Sequence, residues 1–163
     1  IKAVADQLLG AKEAWENRSF GKLLGFVGRQ IKGRFAVPNV PVKSYALKST
    51  AKQMGRRVRE LRNAVLSMLM KHREDILFRQ YVQERLADVA CELYASACTL
   101  SRVDALMSKP SSNGNHMETQ RQIQVGKYYL TFADRRMGQI LSSLKDNDDE
   151  ETTKTADAIL ERF

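Results

Sequence analysis

Three carboxylates, Glu84, Asp88 and Glu92, are spaced in this chain as a catalytic or metal-binding helix would space them. At intervals of four residues they lie along one face of a helix, and a bundle can hold two metal ions with such carboxylates if they point inward. Here they fall on the polar side of an amphipathic pattern and alternate with Arg85. We therefore expect a solvated, ion-paired helix surface and no metal site.

The two cysteines and two histidines offer little further chemistry. Cys91 and Cys98 lie on one helix, roughly 10 Å apart at 1.5 Å per residue, which is too far for a disulfide bond. Neither His72 nor His116 lies at a metal-ligand spacing from them, and two isolated histidines do not suggest a catalytic triad. We expect buried, reduced thiols, consistent with a reducing compartment.

Three further motifs are candidate sites for phosphates or bases. Gly21, Gly25 and Gly28 lie inside an amphipathic run with no preceding strand, so they do not form a dinucleotide or phosphate loop. A base-stacking platform could use Tyr128, Tyr129 and Phe132, and the run RRVRELR (residues 56–62) could contact phosphates. The default expectation is that these aromatic residues lie in the core or at its boundary, and that the basic run is a solvated helix face. No catalytic or cofactor-binding residue is predicted.

Residues 18–35 are the strongest functional candidate in the sequence. A helical wheel places their apolar side chains in one arc, with cations outside it or at its edge. The arc contains Phe20, Leu23, Leu24, Val27 and Ile31, and the cations are Lys22, Arg29, Lys32 and Arg34. Four glycines each weaken a helix here by about 1 kcal/mol relative to alanine, so the segment needs a surface to order it. That surface is either an anionic membrane or another protein domain.

The rest of the pattern predicts an all-α fold. The chain has 163 residues, 43% of them hydrophobic, with only three prolines and long runs of good helix formers between them. We predict an up-and-down antiparallel bundle of three long helices plus shorter flanking helices. Residues 36–46 read as an extended linker between a region 1–35 and a bundle domain 47–163.

Each predicted helix has its own apolar stripe. The first helix begins at Leu47. The helical pattern is interrupted near Glu74 and Asp75, and these acidic residues would begin the second helix. That second helix ends before Pro110; the third runs from about Met117 to Leu144, and a last one follows the run DNDDEE. The expected core positions on the three long helices are Leu47, Ala51, Met54, Val58, Leu61, Val65, Met68 or Leu69; Val82, Leu86, Val89, Leu93, Ala97, Leu100, Val103, Met107; and Ile123, Leu130, Ala133, Met137, Ile140, Leu141, Leu144. On the last helix Ala156, Ile159, Leu160 and Phe163 share one face.

Charge is distributed unevenly along the chain. Residues 1–75 contain 16 Lys and Arg against 6 Asp and Glu, a net +10, whereas the remainder has a net −2. This asymmetry indicates an acidic or anionic partner near the N-terminal half. No signal peptide and no membrane-spanning run is visible, and the start at Ile1 suggests a piece of a larger protein.

The stretch LMKHREDILFRQYVQERLADVACELYASACTLSR (residues 69–102) resembles the C-terminal extension of very-long-chain acyl-CoA dehydrogenases. The resemblance lies in residues 71–72, Gln83, residues 85–88, residues 93–94 and residues 100–102. Residues 20–34 are similar to the segment that links the catalytic core to this extension. The family's catalytic glutamate, in a Glu-Gly-Thr motif, and its flavin-binding domain are absent from these residues, so no site residue is carried over.

The resemblance implies a non-catalytic accessory domain of an enzyme that uses FAD in fatty-acid β-oxidation. It implies three partners: the catalytic core, an anionic membrane surface and further copies in a homo-oligomer. Nucleic acid is not expected as a partner. The implied location is the matrix face of the mitochondrial inner membrane, or the bacterial cytoplasm or inner membrane. Two alternatives remain: a stand-alone interaction or assembly module, and a nucleic-acid-binding bundle suggested by charge alone.

Overall fold

The computed structural model describes residues 36–108 and 116–161, and these residues are helical apart from short connections. The described part from Val37 onward belongs to one compact unit. It contains the α-helices α1 (Lys48–His72), α2 (Gln80–Ser108), α3 (His116–Ser143) and α4 (Asp149–Leu160), with 3-10 turns at Tyr45–Leu47 and Arg73–Phe78. The predicted all-α bundle is confirmed.

Three apolar clusters fix the helix directions. At one end of the bundle Met54, at the start of α1, packs with Leu100 near the end of α2 and with Ile123 near the start of α3. At the other end Met68 of α1 packs with Val82 of α2 and with Leu144, which follows α3. A central cluster joins the middles of α2 and α3. Helix α2 is therefore antiparallel to both α1 and α3.

The break between α1 and α2 differs from the prediction. Helix α1 ends at His72 because Arg73 adopts a positive φ of 49°, and a 3-10 turn over Arg73–Phe78 precedes α2. Asp75 lies within that turn, and the first turn of α2 contains no acidic residue. The expectation that acidic residues begin the second helix was wrong.

Two predicted core positions were also wrong. On α2 the buried side chain is Ser96, 2% exposed, whereas Ala97 is exposed. On α1 Val58 is 37% exposed and lies outside the core. Four of the five buried residues of α2 follow steps of seven residues (82, 89, 96, 103), and the fifth is Leu100. Steps of seven keep one narrow stripe against the neighbouring helices.

The predicted linker is extended but packs against the bundle. Val40 and Val42 contact the apolar cluster at that end, and the Pro38 carbonyl lies so close to Gly55 that a Cβ there would overlap it. The strap, defined as residues 37–44, is held at its other end by Asp104. The carboxylate of Asp104 accepts hydrogen bonds from the backbone N–H groups of Lys43 (2.9 Å) and Ser44 (2.7 Å).

Helix α4 exists as predicted, with Asp149, Glu150 and Glu151 in its first turn, where the helix dipole favours them. No α4 residue from Asp149 to Leu160 is buried, and Ile159 and Leu160 are 55% and 71% exposed. Three residues of the predicted face, Ala156, Ile159 and Leu160, are therefore exposed, and the fourth, Phe163, lies outside the described residues.

Candidate interaction surface

All nine residues predicted to contact a membrane lie outside the described residues. They are Phe20, Lys22, Leu23, Leu24, Val27, Arg29, Ile31, Lys32 and Arg34. The described residues therefore bear on function through the surfaces of the bundle, and two of those surfaces stand out.

The first is an apolar surface shared by α2 and α3. Tyr94 is 75% exposed, at a point of α2 that faces away from the buried row. On α3, Val125, Tyr128 and Phe132 follow one another at helical spacing and are 61%, 74% and 50% exposed. We define the α2–α3 face as Cys91, Tyr94, Cys98, Val125, Tyr128 and Phe132.

A groove of about 510 Å³ runs between the two helices and joins the two halves of this face. Cys98 of α2 and Val125 of α3 both line it, and Arg102 and Arg121 contribute charge. Across the groove, Arg102 donates a long hydrogen bond (3.4 Å) to the side-chain oxygen of Gln122. The groove is open to solvent along its length.

Close packing behind the groove fixes the spacing of α2 and α3. Gly126 lies directly against Val103, and a Cβ at this glycine would overlap the valine side chain. Three residues after Gly126 on α3, the Tyr129 hydroxyl donates a hydrogen bond of 2.7 Å to Glu92. Burial raises the pKa of Tyr129, and the hydrogen bond to Glu92 raises it further. Tyr129 therefore stays protonated and keeps this bond throughout the physiological range.

The sequence-based expectations for these residues were partly wrong. Cys91 and Cys98 are free thiols, as predicted, but they are exposed rather than buried. Among the three aromatic residues, Tyr129 does lie at the boundary of the core, whereas Tyr128 and Phe132 are exposed. The error has one cause: a helix exposes residues of any type on the face opposite its buried row.

The three carboxylates on α2 lie in different surroundings. No group of three or more His, Cys, Asp or Glu in the described residues is placed to hold a metal ion. Glu92 accepts from Tyr129 and pairs with Arg136 at 3.8 Å, while Glu84 and Asp88 are exposed. Arg85 pairs with Asp149 of α4, not with its neighbours on α2.

The second surface lies on α1. Lys48, Lys52, Arg56 and Arg59 are spaced by four, four and three residues, so they share the side of α1 that faces away from the buried row. We call these four residues the basic stripe. The only carboxylate of α1, Glu60, instead accepts a hydrogen bond from Arg57 at 2.8 Å.

Arg57 is the exception within the basic run 56–62, because it faces the bundle. Its guanidinium donates two hydrogen bonds to Asp134 of α3, at 2.7 and 3.1 Å, and these raise the pKa of Arg57. Gly138 leaves room for the group: a Cβ there would lie 3.0 Å from the nearest guanidinium nitrogen. The expectation of a solvated face is thus wrong for this residue, although Arg56 is exposed.

Sequence reasoning missed the α2–α3 face as a functional candidate. A signal was present in the sequence, since the outward positions of α2 from Ala87 to Ala105 at steps of three and four contain Cys91, Tyr94, Cys98 and Ser101 and no charge. An outward helix face without charged residues is unusual for a solvated surface.

In the part of the chain that the structure describes, none of the helices combines the length and the apolar character that crossing a bilayer demands.

Comparison with known proteins identifies a family and a relative. The family model described as ACAD9/ACADV, C-terminal domain, matches residues 45–162, which is more than half of the chain. The chain is also 29% identical over 100 residues to the very long-chain specific acyl-CoA dehydrogenase, mitochondrial, of Bos taurus. That alignment covers 59% of this chain and 15% of the bovine protein, so the chain spans only a small part of this relative.

Proposed function

This chain belongs to the ACAD9/ACADV C-terminal domain family, and on that premise we propose that it is the accessory helical domain of an FAD-dependent acyl-CoA dehydrogenase of fatty-acid β-oxidation. The observation that carries the proposal is the family match over residues 45–162. The domain has no catalytic step of its own. FAD and the base that removes the substrate proton would belong to the catalytic core of the parent enzyme, as the family membership implies.

The domain packs on that core through the α2–α3 face. An exposed row of aromatic residues beside an uncharged helix face is typical of the centre of a protein interface, where charged residues are depleted. The alignment covers 15% of the bovine relative, and the remainder of such a protein is large enough to cover the face. This supports the catalytic core as the partner that packs there. The same packing would fix the arrangement of subunits in a homo-oligomer.

Thiol labelling tests this docking. Cys91 and Cys98 are exposed, so a maleimide should modify both in the 163-residue chain. In the polypeptide extended upstream of Ile1 by its own reading frame, we expect Cys98 to react at least tenfold more slowly. The control carries Ser49→Cys on α1 with both native cysteines changed to serine, and this exposed position should react equally in the two proteins. Equal labelling of Cys98 in both would contradict docking through this face.

Attachment to an anionic membrane is the second part of the proposal. Residues 1–35 would form a linker region, with the amphipathic segment 18–35 at the headgroup boundary, and residues 47–163 the bundle domain. The named relative is mitochondrial, which supports a mitochondrial location. The membrane would then be the inner one at its matrix face; a bacterial inner membrane is the alternative. Replacing Leu23 and Val27 with Asp should weaken vesicle binding while the melting of the bundle changes little. Unchanged binding would reject this role for the segment.

A stand-alone interaction or assembly module is the second candidate, because the α2–α3 face suits a separate partner as well as a covalently linked core. The reading frame upstream of Ile1 separates the two candidates. A Glu-Gly-Thr motif within a few dozen residues would identify the acyl-CoA dehydrogenase.

A further inference from the structure

The basic stripe is a row of cations without partners inside the described chain. Lys52, Arg56 and Arg59 form no ion pair with any described carboxylate, and Lys48 lies over the ring of Tyr45 at 4.8 Å. From Lys48 to Arg59 the row extends about 16 Å along α1, at 1.5 Å per residue. Four like charges on one helix face repel one another, so an anionic surface opposite them would stabilise the arrangement.

The strap places this row beside the entry of the chain into the bundle. Val37 and Pro38 pack against Gly55, which is the immediate neighbour of Arg56 on α1. Residues 18–35 therefore join the described chain only a few residues before a point in contact with the middle of the stripe. The covalent chain connects segment 18–35 to the strap, whatever surface that segment binds.

We propose that the basic stripe of α1 is a second lipid contact, which binds anionic headgroups and lays α1 along the membrane surface. This inference rests on the proposed membrane attachment and adds a site on the bundle itself. Tyr45, 83% exposed at one end of the stripe, has the amphipathic ring that favours the headgroup region.

Two observations favour lipid over a protein partner. The stripe has no large apolar side chain between its cations, so it lacks the aromatic or aliphatic centre on which protein interfaces depend. Its cations also sit on long side chains of a single helix, which suits a flat layer of phosphates.

The test measures binding of the 163-residue chain to vesicles of phosphatidylcholine with one-third cardiolipin. The stripe variant carries Lys52→Gln, Arg56→Gln and Arg59→Gln. The charge-matched control carries Arg121→Gln, Lys127→Gln and Arg135→Gln on α3. Each basic residue at such a surface contributes on the order of 1 kcal/mol, so the stripe variant should bind about 100-fold more weakly than the control. The single change Arg56→Gln should cost about fivefold.

Equal binding by the stripe variant and the control would overturn the proposal. So would a stripe variant that loses binding to random duplex DNA, or to the catalytic core, while its vesicle affinity matches the control. The Leu23→Asp and Val27→Asp variant keeps the two claims separate. If that variant alone loses binding, attachment through segment 18–35 stands and the stripe contact falls. If the stripe variant alone loses binding, the stripe contacts lipid and the proposed role of segment 18–35 falls.

Discussion

Gln83 and Asn147 each bond the backbone at a break between helices. The side-chain amide of Gln83 donates to the carbonyl oxygens of Ile76 (2.6 Å) and Leu77 (3.1 Å) in the 3-10 turn before α2. That of Asn147 donates to the Ser143 carbonyl at 2.8 Å and accepts from the backbone N–H of Asp149 at 3.3 Å. Helix ends leave such backbone groups without partners, so these residue types serve the connections, not a reaction.

The sequence predicted the importance of some of these residues but not their roles. Gln83 and Arg85 belong to the pattern that carried the family resemblance, which the family match confirms. Their contacts reach Ile76 and Asp149, which no helical periodicity links to them, because periodicity describes neighbours on one helix only. Tyr94 belongs to the same pattern and lies exposed on the α2–α3 face.

The contact between Gly126 and Val103 gives a prediction at the scale of one atom. Gly126→Ala should lower the free energy of unfolding by about 1 kcal/mol, because overlap with Val103 outweighs the better helix propensity of alanine. In a Val103→Ala background the overlap disappears, since the next atom, the Thr99 methyl carbon, would lie at 3.5 Å. The same substitution should then raise that free energy by up to about 1 kcal/mol. Urea unfolding of the four proteins measures the change that Gly126→Ala makes to the free energy of unfolding in each background. A change of the same sign in both backgrounds would show that overlap with Val103 does not determine the effect.

At the scale of elements, periodicity predicted every described α-helix but could not place the junctions. The end of α1 depends on Arg73, whose positive φ has no sequence signal because it is not glycine. The strap was predicted as a linker because prolines disfavour helix, yet its packing depends on Gly55 and Asp104, which are distant in sequence. The pKa of Asp104 is lowered by the N–H groups of Lys43 and Ser44, so the strap stays fastened at neutral pH.

Helix α4 has no buried residue, so we expect the ion pair between Arg85 and Asp149 to hold it on the bundle. Asp149 accepts two hydrogen bonds from Arg85, at 2.6 and 2.7 Å, and its side chain is 23% exposed. Asp149→Asn or Arg85→Gln should remove about 1 kcal/mol and abolish hydrogen-exchange protection of α4, while α1 to α3 keep theirs. Lys154→Gln should change nothing, because its pair with Glu151 is more than 70% exposed.

The same pair gives a pH dependence with a definite sign. The hydrogen bonds from Arg85 lower the pKa of Asp149, so the carboxylate is favoured in the folded state. The stabilisation that the ion pair contributes is complete above the pKa of an aspartate in the unfolded chain, about 3.9. It is lost as the pH falls through the lower pKa of Asp149 in the folded chain. Protection of α4 should therefore be constant from pH 7 to pH 5 and decrease below about pH 4. A loss that begins near pH 6 would assign the attachment of α4 to another group.

For the whole molecule, the bundle and its family were predictable, and the two surfaces were not. Amphipathic stripes specify which residues turn inward, and the fold follows from burying three of them together. They say nothing about what covers the outward faces, so Cys91 and Cys98 were assigned to a core that does not contain them. The expected membrane residues lie outside the described chain, and their role stays a prediction.

The last prediction concerns the exposed tyrosines of the α2–α3 face. Tyr94 and Tyr128 are 75% and 74% exposed, so replacing both with glutamine should leave the free energy of unfolding within about 0.5 kcal/mol. The variant should bind less of a hydrophobic dye and self-associate less, because an apolar patch becomes polar. Tyr129→Phe is the matched control: it removes the hydrogen bond to Glu92 and should cost about 1 kcal/mol without changing dye binding. If the double variant were as destabilised as this control, the two tyrosines would belong to the packed bundle and the face would not be free for a partner.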